Sequence, residues 1–107
     1  MTKTTILSHE LLYGEEFAYC SHPHVATLDD GTWALVFNRA PRRRQVLHPP
    51  QDPWFANYMM VSRDEGQSWS PAVPVPAYGW TGMECAGLTA WEGKRLILNQ
   101  WQFEWLT

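Results

Sequence analysis

Cysteine is scarce in this sequence. Cys20 and Cys85 are the only two, they stand far apart, and they form no CxxC pair. That excludes a disulfide scaffold and a zinc knuckle, and leaves a single bridge between the two open but not implied. Charge is sparse as well. Charged residues make up 18% of the 107, and the net charge is −3. Such a balance gives no general electrostatic reason to hold a nucleic acid. Long apolar runs are missing too. Nothing after Lys3 is long enough for the core of a signal peptide, and no stretch approaches a transmembrane helix. The expectations are no nucleic-acid partner, no membrane and a cytoplasmic location.

What is present is apolar and aromatic. Hydrophobic residues reach 45%, enough for a globular fold instead of a disordered chain. The length suits one small domain at most. Seven tryptophans in 107 residues serve buried sheet packing, sugar stacking, or both.

The chain is organised around Ser62-Arg63-Asp64-Glu65-Gly66-Gln67-Ser68-Trp69. Ser62 and Asp64 carry short side-chain oxygens that bond backbone N–H groups inside a turn. Gly66 supplies a position where φ can be positive. Trp69 can bury its ring under the turn while its N–H finds a partner. Residues 56–61 before it and 72–75 after it read as strands. The second of these is crowded by Pro71, Pro74 and Pro76, so it should lie at a sheet edge.

Upstream, residues 4–7 are β-branched and apolar, a short strand by pattern. Residues 25–28 form another, followed by the turn signal Asp29-Asp30-Gly31. Residues 32–38 follow, continuously apolar in the middle, which suits a strand covered on both faces. A proline-rich loop, 39–55, leads to the strand before the plugged turn. The sum is a four-stranded up-and-down antiparallel sheet.

The pattern then restarts. With Gly31 set over Gly93, Thr27 falls on Thr89 and Asn38 on Gln100. Ala34-Leu35-Val36 falls on Leu96-Ile97-Leu98. A repeated four-strand unit, apolar on both faces, is the pattern of a propeller blade. The expected fold is all-β, an antiparallel propeller of which one full blade and part of the next are present. Residues 1–21 are the N-terminal strand and lead-in, 22–76 the first blade, and 84–107 the start of the second. Since a ring takes about 4–8 blades, the expectation is a partial propeller. Its open edge would lie near Trp101, Phe103 and Trp105. The rival is a small self-contained β-sandwich.

The starts of innermost strands converge on a propeller's central channel. His22 and His24 stand there in the first blade, and the glycine alignment puts Glu84 opposite His22. These are candidate ligand-binding residues, and lining a wet channel is the plainer alternative. Strict alternation would put His22 and His24 on one face. Two histidines alone do not make a metal site without a third ligand such as Glu84, so no metal is expected. Arg39, Arg42, Arg43 and Arg44 hold half the positive charge in one loop. Arginine forks grip carboxylates. For Arg42, Arg43 and Arg44 taken singly, a solvated loop is the simpler expectation.

The turn from Ser62 to Trp69 resembles the Asp-box, or BNR, repeat of sialidases (neuraminidases) and related β-propellers, matching Ser-x-Asp-x-Gly-x-Ser/Thr-Trp at Ser62, Asp64, Gly66, Ser68 and Trp69. In that family these turns generally lie away from the catalytic face, so a structural role is implied for these residues. The resemblance extends over about residues 19–76. Pro23 matches the family's Arg-Ile-Pro proline, Gly31 its turn, and Leu35-Val36-Phe37-Asn38-Arg39 its apolar strand with a following arginine. Asp52 stands near where the family's acid/base aspartate is expected. The family's carboxylate-gripping arginine would fall on Ser21, a departure that puts ordinary sialidase chemistry in doubt.

The implied function is a sialidase-like exo-glycoside hydrolase acting on a terminal sugar, an acidic one among the candidates. This chain would be an incomplete piece of it and is expected to be inactive alone, since the family's nucleophilic tyrosine and other arginines would lie in later blades. Asp52 would be the general acid, and His22, His24, Arg39 and Glu84 would bind substrate. A carbohydrate is the implied partner, and no cofactor is expected. The alternative is a non-catalytic propeller that binds glycan or protein, with Trp54, Trp80 and Trp101 as contact surfaces. Asp52 facing the central mouth with His22 and Arg39 would favour the enzyme.

Overall fold

The computed structural model describes residues 2–45, 47–48, 51–75 and 83–102, with only the backbone for 83–85. Within them lie six strands and no helix: β1 (Ala18–Thr27), β2 (Trp33–Pro41), β3 (Ala56–Ser62), β4 (Val73–Pro74), β5 (Met83–Trp91) and β6 (Arg95–Gln102). The fold is all-β, and every pairing is antiparallel. β1-β2-β3-β4 form one sheet in chain order, and β5-β6 form a second.

β2 explains the architecture. Its apolar middle alternates between two buried faces. Ala34 and Val36 join Ala86, Leu88, Leu96 and Leu98 from the second sheet, along with Val75. Leu35 and Phe37 point the other way, into a cluster with Met60, Tyr13, Tyr58 and Trp69. The continuous apolar run therefore reflects a strand sandwiched on both sides. Burying one such side chain fully contributes roughly 1.5–3 kcal/mol, and Val36 is fully buried.

The expected strand at residues 4–7 does not form. Residues 2–15 carry no strand, and Ile6 and Leu7 are exposed. β-branched residues fit a pleated surface only when another strand pairs with them, and here none of the described residues does. The segment instead lays Leu12 and Tyr13 on the Phe37 face, with the Tyr13 and Phe37 ring centroids 4.8 Å apart. β4 is an edge strand, as its prolines require, and is only two residues long.

The hairpins β1-β2 and β5-β6 each carry a bulge in their first strand, at an offset one residue larger than the glycine alignment gives. β1 has a bulge between Ser21 and His24, and β5 has one between Glu84 and Gly87. Superimposing these bulges puts Ser21 on Glu84 and His24 on Gly87, so Glu84 does not stand opposite His22. Setting Gly31 over Gly93 misleads because the two turns differ in type. In the first, the Gly31 N–H reaches the Leu28 carbonyl and Gly31 itself takes φ 86°. In the second, the Lys94 N–H reaches the Trp91 carbonyl, and both Glu92 and Gly93 have positive φ, a type I′ geometry.

The turns gather at one end of the sheets. The Glu65 N–H donates to the Gly31 carbonyl at 3.1 Å, and the Asp29 N–H donates to the Gly93 carbonyl at 2.8 Å. The β2–β3 loop carrying Asp52 leaves from the opposite end of β3.

Candidate functional site

The plugged turn is built as its residue types require. Ser62, buried at the end of β3, donates its Oγ–H to Asp64 Oδ1 at 2.8 Å. Ser62 Oγ also accepts the Gly66 N–H at 2.8 Å. Asp64 accepts the Ser68 N–H and the Ser68 hydroxyl through its two oxygens, at 2.8 and 2.5 Å. Trp69 Nε1 donates to the Gly66 carbonyl at 3.2 Å. Bonds from Ser68, with Ser62 adding to them, hold the Asp64 carboxyl down at about 2. Each polar atom of the motif is spent on holding the turn together.

The loop at the other end of β3 makes a different environment. Asp52 is 3% exposed. Its backbone N–H donates to the His48 carbonyl at 2.9 Å, and its Oδ1 accepts the Trp54 N–H at 3.1 Å, an Asx-type turn. Arg43 grips the same carboxylate with a fork, Nε to Oδ2 at 2.6 Å and Nη2 to Oδ1 at 3.1 Å. This pair lies in a concavity of about 260 Å³ lined in part by Tyr19, Arg42, Leu47 and Phe55. Tyr19 and Phe55 stand edge to face, centroids 6.2 Å apart. The Arg43 guanidinium, helped by the Trp54 N–H, holds the Asp52 carboxyl below its ordinary range against the opposing effect of burial.

Arg42 stands beside this pair with no carboxylate partner among the described residues; its guanidinium makes a long contact, 3.5 Å, to the Ala18 carbonyl, while its backbone N–H donates to the Phe17 carbonyl at 2.8 Å. The concavity thus holds two guanidinium groups and one carboxylate, flanked by aromatic and apolar surface. Such a site suits a polar ring bearing an anionic group.

The other candidate residues lie elsewhere. Arg39 donates Nε to Glu15 Oε2 at 2.5 Å and to the Tyr13 hydroxyl at 3.2 Å, with its guanidinium 5.2 Å from the Tyr58 ring centroid. It fastens the N-terminal segment to the sheet and does not join Asp52. The Glu15 carboxylate raises the Arg39 pKa further. His24 and His22 do not form the expected pair on one face, because the bulge breaks the alternation on which that expectation rests. His22 sits within it at φ 51°, its Nδ1 3.0 Å from the Ser21 hydroxyl. His24 Nδ1 accepts the Leu88 N–H at 2.7 Å and so ties β1 to β5. The Glu84 side chain lies outside the described residues, as do Trp80, Phe103 and Trp105. No cluster of three or more metal-ligating side chains occurs among the described residues. Cys20 is a free thiol.

Two features escaped the sequence reading. One is the role of Arg43. A run of arginines and a single aspartate within one short loop is a signal for an ion pair, but the sequence alone does not say which arginine turns inward. The other is a buried polar row between the sheets. Asn38 and Asn57 are almost fully buried. Asn38 Nδ2 donates to Asn57 Oδ1, and Asn57 Nδ2 donates to Gln100 Oε1 at 2.8 Å. Asn38 Oδ1 and Gln100 Nε2 are buried with no hydrogen-bond partner among the described residues.

No helix among the described residues is long and apolar enough to cross a membrane. No known family model matches this chain, and no curated protein or solved structure shows significant similarity to it.

Proposed function

We propose that this chain forms part of a sialidase-like Asp-box propeller, a glycoside hydrolase acting on a terminal acidic sugar. The ring is completed by further blades, and Asp52 is the general acid. The observation that carries this reading is the placement of Asp52, which stands with Arg43 and not with Arg39 and His22, the neighbours the sequence led one to expect. It sits at the end of the sheet away from the Asp-box turn, in a concavity with Arg42, Arg43 and aromatic surface. The two sheets stack face to face through Ala34, Val36, Leu88 and Leu98, a packing that neighbouring propeller blades share with a sandwich. The exposed side of the second sheet carries Trp91, Ile97 and Trp101, apolar surface suited to a next blade. Arg42 and Arg43 take over the carboxylate-gripping role that Ser21 cannot fill. In this reading Arg39 and His24 are structural ties, to the N-terminal segment and to β5, and neither they nor His22 are substrate ligands.

A second reading has its own support. A general acid needs a raised pKa near neutral pH, whereas Asp52 is held ionised by Arg43. That favours a propeller that binds an acidic glycan without cleaving it. The test is a hydrolysis screen of the full-length protein, with all its blades, on chromogenic glycosides, with a sialoside and uronides included, for wild type and Asp52→Ala. Release from an acidic glycoside, abolished by D52A while folding is kept, supports the hydrolase. Turnover unchanged in D52A removes Asp52 from the mechanism. Binding of an acidic sugar without hydrolysis supports the second reading.

A further inference from the structure

We propose that binding of an anionic sugar at Arg43 drives proton uptake by Asp52, so that this buried carboxylate becomes neutral only while a ligand carboxylate shares its guanidinium. The inference rests on the reading of the concavity as an acidic-sugar site.

Accessibility sets the order of events. The Arg43 side chain is 40% exposed and the Asp52 side chain 3%. A ligand arriving from solvent therefore meets the guanidinium and not the carboxylate behind it. A guanidinium carries more N–H donors than the two that Asp52 engages. A second carboxylate can bond the same cation from the open side, or displace Asp52 from it. In either case two carboxylates compete for one fixed positive charge, and one of them takes a proton more readily. Burial decides which. The ligand group keeps part of its hydration, and the enclosed Asp52 does not.

The surrounding groups favour this outcome. Among the described residues lining the concavity, Asp52 is the one acidic residue, and the cations are Arg43 and Arg42. Tyr19 also lines it, and a phenol is uncharged in the acidic range. His48 offers its backbone carbonyl to the Asp52 N–H. Arg42, with no carboxylate partner among the described residues, keeps the ligand anion bound after Asp52 is neutralised. The proton comes from solvent, no bond to the ligand forms or breaks, and Asp52 is left as a carboxylic acid beside the sugar. This links the ion pair of the free protein to the protonated acid that glycoside cleavage requires. Arming then depends on a ligand of the right charge.

The test is calorimetric titration of the folded chain with glucuronate, and with glucose as the neutral control. Titrations run between about pH 4 and pH 7, where a sugar carboxylate is ionised, in buffers of differing ionisation enthalpy. The expected result is uptake approaching one proton at the acidic end. Affinity then weakens by about tenfold per pH unit toward neutrality, until uptake ceases, because binding and protonation are reciprocally linked. Asp52→Asn should bind glucuronate with no uptake and a flat pH profile. If removing the buried charge unfolds that variant, Arg43→Lys serves: it keeps the charge, loses the fork, and should bind glucuronate at least tenfold more weakly with diminished uptake. Glucuronate binding without uptake, identical in wild type and D52N, overturns the linkage and leaves the acidic-sugar reading standing. No glucuronate binding by either protein overturns both.

Discussion

Gly31 and Gly66 take almost the same backbone angle, φ 86° and 84°, in different surroundings, and this allows a controlled comparison. An alanine at either position meets the left-handed penalty, about 1–2 kcal/mol. At Gly31 the added Cβ would lie 3.4 Å from Glu65 Cγ, the stem of a flexible exposed side chain. At Gly66 it would lie 2.6 Å from Trp33 Cζ3 and 2.8 Å from Cε3. Those distances are well inside the roughly 3.5–4.0 Å of a normal carbon contact, and the ring cannot bend away. Overpacking of this kind adds about 1–3 kcal/mol. Gly31→Ala should therefore cost about 1–2 kcal/mol and Gly66→Ala about 2–5 kcal/mol. The assay is urea unfolding followed by circular dichroism, with the slope unchanged at about 1–3 kcal/mol per molar. Repeating Gly66→Ala in a Trp33→Ala background should shrink its cost to that of Gly31→Ala. Equal losses in the wild-type background, or a gap that survives removal of the ring, would refute the account of how the Ser62 to Trp69 turn is seated.

Further predictions concern the buried polar row and the two anchored carboxylates. Asn57→Ala leaves Asn38 Nδ2 and Gln100 Oε1 without Asn57 as partner, at about 1–3 kcal/mol each, and urea unfolding should show a loss of about 2–6 kcal/mol. The Asp64 carboxyl is depressed to about 2 in the fold. Its contribution is complete above the unfolded value near 4 and is lost as pH falls through 2, so Asp64→Asn should flatten the acid limb of the stability profile. The Asp52 carboxyl is depressed as well, by Arg43, so its contribution also disappears on acidification and not on alkalinisation. Arg43→Gln should remove that part of the acid dependence, as read by thermal unfolding across pH.

Some of this was legible in the sequence because local chemistry dictates it. The oxygen and glycine positions of the Ser62 to Trp69 turn admit few other uses. The unbroken apolar run of β2 could be satisfied only by burial on two sides. The prolines around β4 announced an edge. The rest depends on longer-range choices. The bulge at His22 is held by the pairing of β1 with β2, and a non-glycine residue at φ 51° leaves no mark in the sequence. Hence the histidine pair was misplaced. The one-residue error in the repeat arose because glycine marks a positive-φ position, not a fixed place in every turn type. Residues 4–7 had strand propensity without a partner. For the site, Asp52 was singled out from the resemblance, but its environment was not. That depended on Arg43 folding back across the loop while Arg39 turned to Glu15 and Tyr13.

The central claim is that the concavity of Arg42, Arg43 and Asp52 is where this protein meets an acidic sugar. The most direct test is a nuclear magnetic resonance titration of the isotope-labelled chain with glucuronate. The Arg43 Nε–H and the Trp54 backbone N–H, both bonded to Asp52, are the reporters. The account predicts that these two signals move first and saturate together, and that glucose leaves them in place. Shifts that begin at His22 and Arg39 while the Asp52 reporters stay still would contradict it.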